Sequence, residues 1–279
     1  MLLAIDVGNT ETVLGLYPLA GAGAQGEDHD QDPRGRGELA HHWRIASVAA
    51  RTPDEHAVVL RSLFDLANSW EPSIEGIAIC SSMPVVTAAL RQMAATWFRG
   101  VPCVVVGPGA RSGMPILYED PREVGPDRIA DAVGAYHLYG GPVVVVDLGT
   151  ATTVEAVSKS GEYLGGAISP GVAISVDALF AQAAGLRPVP LLAPRSVIGR
   201  TPAESIQAGV LYGFGSLVDG LVERVIAELG ESPVAVVATG GLAELVAPYA
   251  TRVDQVEPWL TLEGLRVLYA RNAPGPRPL

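Results

Sequence analysis

Lysine is almost absent from this chain. Lys159 is the only one among 279 residues, in the turn-like stretch Val157-Ser158-Lys159-Ser160-Gly161-Glu162-Tyr163. A P-loop needs a lysine ahead of Ser or Thr where a Gly-rich loop meets a helix, and a protein kinase needs a strand lysine to pair with phosphates. Both chemistries are excluded. Positive charge is scarce altogether: 19 Lys plus Arg against 30 Asp plus Glu leave a net charge of −11, with no basic cluster of the kind that displaces counterions from nucleic acid. No nucleic-acid partner is expected. Cys80 and Cys103 are too few for a disulfide framework, and each lies in an apolar run that reads as a buried strand, which suits a reducing cytoplasm. No apolar run approaches the ~20 residues that cross a bilayer. Met1-Leu2-Leu3-Ala4-Ile5-Asp6 lacks the basic stretch of a signal peptide, so neither a membrane nor export is expected.

What is present is apolar and rich in turns. Hydrophobic residues make up 48% of the chain, alongside 32 Gly and 22 Pro, which is enough apolar surface to offset the entropy of ordering; the length suits two lobes better than one. Leu2 to Ile5 is a buried strand ending in Asp6, and Thr12 to Leu19 is a second strand, with Val7-Gly8-Asn9-Thr10 as the turn of a hairpin. Residues 21–38 hold hardly an apolar side chain and read as a flexible insertion, followed by a third strand over Leu39 to Ala46. Helical spacing over Asp54 to Ser69, capped at Thr52-Pro53, then a strand to Cys80, a helix over Val85 to Phe98 and a strand over Val101 to Val106 complete an α/β layer.

The same order begins again. Val143 to Val146 is a β-branched run ending in Asp147, with the turn Leu148-Gly149-Thr150-Ala151, a strand to Val157, and a third strand ending near Ser169-Pro170-Gly171. Val234 to Ala238, Thr239-Gly240-Gly241 and the helix start at Leu242 match the strand, turn and helix around Cys80. One repeat with a period of about 140 residues signifies a duplicated lobe.

Each turn has glycine where the backbone must approach an anion, and the amides that follow can converge on the same oxygens. A carboxylate at the strand end repels phosphate, so a metal ion bridging to the phosphate is its natural partner. A single such turn is most simply an Asx-type hairpin, but two, each closing a buried strand at the start of a lobe, point to phosphate binding. Between them, Gly125-Pro126-Asp127-Arg128 opens an amphipathic helix. Asp127 there either complements the helix dipole or serves as a base for an attacking hydroxyl. Arg128 either meets solvent or offers a bidentate site to a carboxylate.

Taken together, Asp6-Val7-Gly8-Asn9-Thr10, Gly113-Met114-Pro115-Ile116 through Tyr118, Gly125-Pro126-Asp127-Arg128, Asp147-Leu148-Gly149-Thr150-Ala151-Thr152, Gly165-Gly166-Ala167-Ile168-Ser169-Pro170-Gly171 and Ala238-Thr239-Gly240-Gly241 resemble the actin, Hsp70 and sugar-kinase superfamily, and within it the type III pantothenate kinases. The resemblance implies an α/β fold of two ribonuclease-H-like lobes with a nucleotide cleft between them, here residues 1–124 and 125–279. It implies ATP-dependent phosphorylation of pantothenate, the first step toward coenzyme A, by a cytoplasmic homodimer.

For individual residues, the resemblance implies nucleotide contacts from Asp6, Val7, Gly8, Asn9, Thr10, Glu11, Thr12, Val13 and Thr150. It makes Asp127 the general base, and Tyr118, Gly125, Pro126, Asp127 and Arg128 the pantothenate site. Asp147 is open to two readings, as a carboxylate on the Mg²⁺ side or as the ligand of a monovalent cation, K⁺ or NH₄⁺; the match implies the second. Pro202 departs from the pattern, because the family usually has at that position a Thr that helps bind substrate; Thr201 is the candidate replacement. Other readings are a kinase for another small hydroxy-acid or sugar, or a non-catalytic regulatory protein of the same fold. Gly21-Ala22-Gly23-Ala24-Gln25-Gly26 matches a dinucleotide fingerprint in letters only, since no helix follows. The five histidines show no zinc-ligand spacing.

Overall fold

A computed structural model describes residues 1–19, 34–67 and 73–274. Most of the expected insertion at 21–38, and Ser69 at the expected end of the first helix, lie outside the described residues. The chain divides into two compact units, Met1–Leu138 with Leu260–Leu279, and Tyr139–Trp259.

The first unit is built on the strands β1 (Leu2–Val7), β2 (Glu11–Tyr17), β3 (His41–Ala46), β4 (Gly76–Ser81) and β5 (Cys103–Val105), in the order β3-β2-β1-β4-β5. β1 pairs antiparallel with β2 and parallel with β4. Central placement explains why Leu2, Leu3, Ala4 and Ile5 are all fully buried, a run that needs apolar residues on both faces of the sheet. The helices α1 (Pro53–Leu66) and α2 (Pro84–Trp97) cover one face with Leu60, Phe64, Val86, Leu90 and Met93. Thr52 caps α1 as expected: its side chain accepts from the Glu55 amide, and Glu55 accepts in return from the Thr52 amide. Burial of each such aliphatic side chain contributes about 1.5–3 kcal/mol. Cys80 is fully buried, but Cys103 is exposed, because β5 proves to be a three-residue edge strand.

The second unit repeats this plan. The strands β6 (Val143–Leu148), β7 (Ala151–Val157), β8 (Tyr163–Pro170), β9 (Ala235–Thr239) and β10 (Gln255–Val256) form a sheet ordered β10-β9-β6-β7-β8, the same arrangement with β6 in the place of β1. Again the central strand is antiparallel to one neighbour and parallel to the other. Helices α4 (Val172–Gln182), α5 (Pro202–Leu229) and the short α6 (Ala243–Val246) bury Val172, Leu211, Val218, Val222 and Val246 against the valines of β6. At 28 residues α5 is the longest helix, though its mixed small and apolar composition does not announce it in the sequence. Among the described residues, no helix is long and apolar enough to cross a membrane.

The division differs from the expected boundary at 124/125. The helix α3 (Pro126–Tyr139), through Leu138, belongs to the first unit, and so does α7 (Leu260–Asn272) from the far end of the chain. The reason is packing that local sequence does not reveal. α7 lies on the first sheet, with the Tyr269 ring over Gly76 and Leu262 over Gly15, and the Tyr269 hydroxyl donates to the Glu75 carbonyl at 3.3 Å. α3 crosses α7 backbone to backbone: a Cβ on Gly134 would stand 2.7 Å from the Leu260 carbonyl oxygen, and one on Gly264 would overlap the Ala130 carbonyl. Buried Glu263 of α7 binds Arg266 through both its oxygens and accepts from the Gly37 amide at 3.2 Å, which anchors the chain where it returns to β3. Burial, and then the Glu263 charge, push the Tyr17 phenol far above its ordinary range.

Gly264→Ala therefore opposes a gain in helix propensity of ~1 kcal/mol with a larger steric overlap. The expected outcome is a net loss of about 1–3 kcal/mol, read as a lower urea midpoint at an unchanged slope.

Candidate active site

In the first unit, Asp6 sits half-buried at the mouth of β1, followed by buried Val7, half-buried Gly8 and exposed Asn9 and Thr10. The Gly8 amide donates to the Glu11 carbonyl at 2.9 Å, closing the turn. Ser47, just past β3, reaches this loop: its hydroxyl donates to the Gly8 carbonyl at 2.7 Å and lies 2.8 Å from the Thr12 hydroxyl, and its amide donates to the Thr10 carbonyl at 2.9 Å. Of the remaining predicted nucleotide contacts, Glu11 pairs with Arg44 of β3 at 3.2 Å, Thr12 is buried, and Val13 stands opposite Asp6 on β2.

Asp6 is in register with Cys80 of β4. Burial, and then the carboxylates of Asp6, Asp127 and Asp131, push the Cys80 thiol well above its ordinary value, and the thiol hydrogen-bonds Asp6. Three acids thus gather about one uncharged thiol. Asp131 lies one turn beyond Asp127 on α3, is buried, and accepts from the Thr261 hydroxyl of α7 at 2.7 Å. The Asp127 carboxylate folds back over Gly125, where a Cβ would overlap its Oδ1, and Oδ1 accepts from the Arg128 amide at 2.9 Å. Pro126 begins the helix and gives up no needed amide there. The Arg128 guanidinium carbon stands 6.0 Å from the centroid of the Tyr118 ring. Tyr118, Gly125, Asp127 and Arg128 are therefore neighbours in the structure.

In the second unit, the loop after β6 repeats the burial of the first: Asp147 and Gly149 half-buried, Leu148 buried, Thr150 exposed. It is closed one residue sooner, by the Gly149 amide on the Ala151 carbonyl at 3.0 Å. Asp147 accordingly pairs with Thr153, six residues on, whereas Asp6 pairs with Val13, seven on. Gly240, at φ +94°, tucks against Asp147: a Cβ there would overlap Asp147 Oδ1 and the Leu148 backbone. Thr153 and Thr239 flank Asp147 in one row across the sheet. The Thr239 hydroxyl donates to the Glu257 carbonyl, while Thr153 Oγ1 is buried without a hydrogen-bond partner. A carboxylate beside an unengaged hydroxyl is a hard-oxygen set that suits an alkali or alkaline-earth cation and not a soft metal.

Comparison with known proteins places this geometry. Residues 2–224 match the family model described as type III pantothenate kinase. The chain belongs to that family. It is 50% identical over 278 residues to the type III pantothenate kinase of Streptomyces avermitilis, covering 98% of both chains. It is 47% identical over 272 residues to that of Moorella thermoacetica, covering 98% of this chain and all of the other. Among solved structures, a Campylobacter jejuni protein described as a conserved Baf-family transcriptional activator is similar with a TM-score of 0.55 and 17% identity, covering 96% of this chain and 97% of that one. This likeness bears on the fold alone, and the expected α/β fold of two lobes built to the same plan is borne out.

The Pro202 departure from the family pattern has a local cause. Thr201 caps α5, its hydroxyl accepting from the Glu204 amide at 3.2 Å, and Pro202 occupies the first helical position, where an amide has no partner to lose. Glu204 accepts from the Arg200 amide at 3.0 Å and pairs with Arg195, around a recess of about 360 Å³ that Ile198 and Gly199 also line. The Thr201 hydroxyl keeps a proton to donate. Sequence reasoning did not single out Ser47, Asp131 or Thr153. Each acts through a pairing across strands or helices, and no short motif encodes such a pairing.

Gly125→Ala tests the seat of Asp127. A methyl group there displaces the carboxylate, and a shift of about 1 Å costs on the order of 10²-fold in turnover. The expected result is that loss in kcat with folding stability changed by no more than about 1 kcal/mol, measured by steady-state kinetics beside a denaturant titration.

Proposed function

We propose that this chain transfers the γ-phosphoryl group of ATP to the primary hydroxyl of pantothenate, with Asp127 as general base. The observation that carries the reading is the seating of Asp127. One carboxylate oxygen accepts from the Arg128 amide at the start of α3, which leaves the other to take the proton of an attacking alcohol. The Arg128 guanidinium suits the substrate's own carboxylate, a bidentate acceptor, with the Tyr118 face beside it. Thr201, through the proton its cap leaves free, is a further candidate for this acceptor.

The two loops serve different phosphate-side roles. Asp6 through Val13 supply the first set of nucleotide contacts, and Thr150 supplies a hydroxyl from the second loop. Mg²⁺ accompanies ATP. Asp147, with Thr153 in its row, would hold a monovalent cation, K⁺ or NH₄⁺, which supplies positive charge near the phosphates in a chain that has no lysine for the purpose. Free cysteines are consistent with a cytoplasmic enzyme. A homodimer, which the family resemblance implies, would bury exposed apolar side chains such as Ile168 on β8 and Ile174 on α4.

A coupled ADP-release assay with ATP, Mg²⁺ and K⁺ is expected to show turnover on pantothenate. Asp127→Asn should lower kcat by about 10²–10⁴-fold. Undiminished activity in that variant overturns the base assignment, and turnover only on another acceptor overturns the substrate. Asp147→Asn should raise the K⁺ concentration for half-maximal rate by roughly tenfold or more, as expected for loss of a charged ligand.

A further inference from the structure

Two peptide groups of the first loop, those after Gly8 and after Thr10, are pinned by one residue outside it. The Ser47 hydroxyl donates to the Gly8 carbonyl at 2.7 Å, and the Ser47 amide donates to the Thr10 carbonyl at 2.9 Å. A trans peptide is planar, with its C=O and N–H directed oppositely. A Gly8 carbonyl turned toward Ser47 therefore turns the Asn9 N–H away from it, and a Thr10 carbonyl held the same way turns the Glu11 N–H away. Backbone amides freed in this way at a turn are the donors from which an anion-binding concavity is built.

The hydroxyl chain has a direction. Ser47 has one hydroxyl proton, and it goes to Gly8, so across the 2.8 Å contact Thr12 is the donor and Ser47 the acceptor. Thr12 is buried, and such a relay, Thr12 to Ser47 to Gly8, strengthens each bond in it. The backbone pairing of Ser47 with Thr10 would end β3 adequately by itself; the side chain adds a bond to the loop and one from Thr12 of β2. The second unit lacks this device. There the chain passes the loop at Gly171, where a Cβ would stand 2.6 Å from the Gly149 carbonyl oxygen, and no side chain fits.

We infer that Ser47 is a positioning residue for ATP, holding the peptide between Gly8 and Asn9 in the orientation that presents its amide to a phosphate oxygen. The inference rests on the reading of Asp6 to Thr10 as a phosphate loop. Ser47→Ala frees that peptide to rotate and leaves the Thr12 hydroxyl buried without its partner. The expected result is a KM for ATP raised about tenfold, as for one lost hydrogen bond at a charged ligand. The KM for pantothenate should stay within about twofold, since that site does not use the loop. Ser47→Thr keeps the hydroxyl and should restore the KM for ATP to within about twofold of the parent, whereas Thr12→Val, which cuts the relay one step back, should fall between.

A purely structural serine would lower the melting temperature and affect both substrates alike, and that outcome overturns the inference. So does an unchanged KM for ATP in Ser47→Ala, or failure of Ser47→Thr to restore it. Gly8→Val separates the two levels, because its Cβ would lie 3.1 Å from the Glu11 carbonyl oxygen and disturb the loop directly. If Gly8→Val raises the KM for ATP and Ser47→Ala does not, Ser47 alone is misassigned. If Gly8→Val leaves it unchanged, the phosphate-loop reading falls and the role of Ser47 falls with it.

Discussion

A carboxylate inside a buried strand is costly unless a partner satisfies it, and much of this molecule follows from where the carboxylates of its central strands fall. β1 and β6 are the central strands of their sheets and are apolar until one residue before the end, where Asp6 and Asp147 emerge half-buried. A glycine follows two residues later in each: a Cβ on Gly8 would crowd the Glu11 carbonyl, and one on Gly149 would stand 3.5 Å from the Asp147 carboxylate. The result, twice over, is an acid and a set of backbone amides at the edge of a rigid sheet. Sites built on such scaffolds hold their geometry better than sites on free loops.

The duplicated loops are nonetheless unlike. The first closes over four residues and is latched by the Ser47 side chain; the second closes over three and is packed by Gly171 and Gly240. The shorter closure brings Thr153 beside Asp147, where the longer one brings Val13 beside Asp6. A difference of one residue in a hairpin thus changes an apolar neighbour of the carboxylate into a hydroxyl.

Charge sets the terms for any phosphate in this family member. Asp6, Asp127 and Asp131 all bear on Cys80, whose proton they help to retain. A polyphosphate approaching such a cluster is repelled unless cations accompany it, and the single lysine, Lys159, lies in the turn between β7 and β8. α3 must carry Asp127 into these surroundings without slack. The Gly134 and Gly264 crossing, with the bond from Thr261 to Asp131, ties the helix that carries Asp127 to one more than 130 residues away in the chain. Substitutions in α7 therefore bear directly on how α3 and Asp131 are held.

Elements with strong local signals were legible from the sequence: the buried runs of β1 and β6, the glycine turns, the Thr52 cap, the helix start at Pro126, and the family resemblance that joined them. Those signals are short-range, because burial on both faces, turn conformation and capping are each set within a few residues. The tertiary structure alone decided which unit claims α3 and α7, that Cys103 lies on an exposed edge while Cys80 meets Asp6, that Pro202 is a helix-start proline behind a Thr201 cap, and that Ser47 grips the first loop. In each case the deciding contact joins residues whose partner is chosen by strand register or helix crossing, and neither leaves a local mark in the chain.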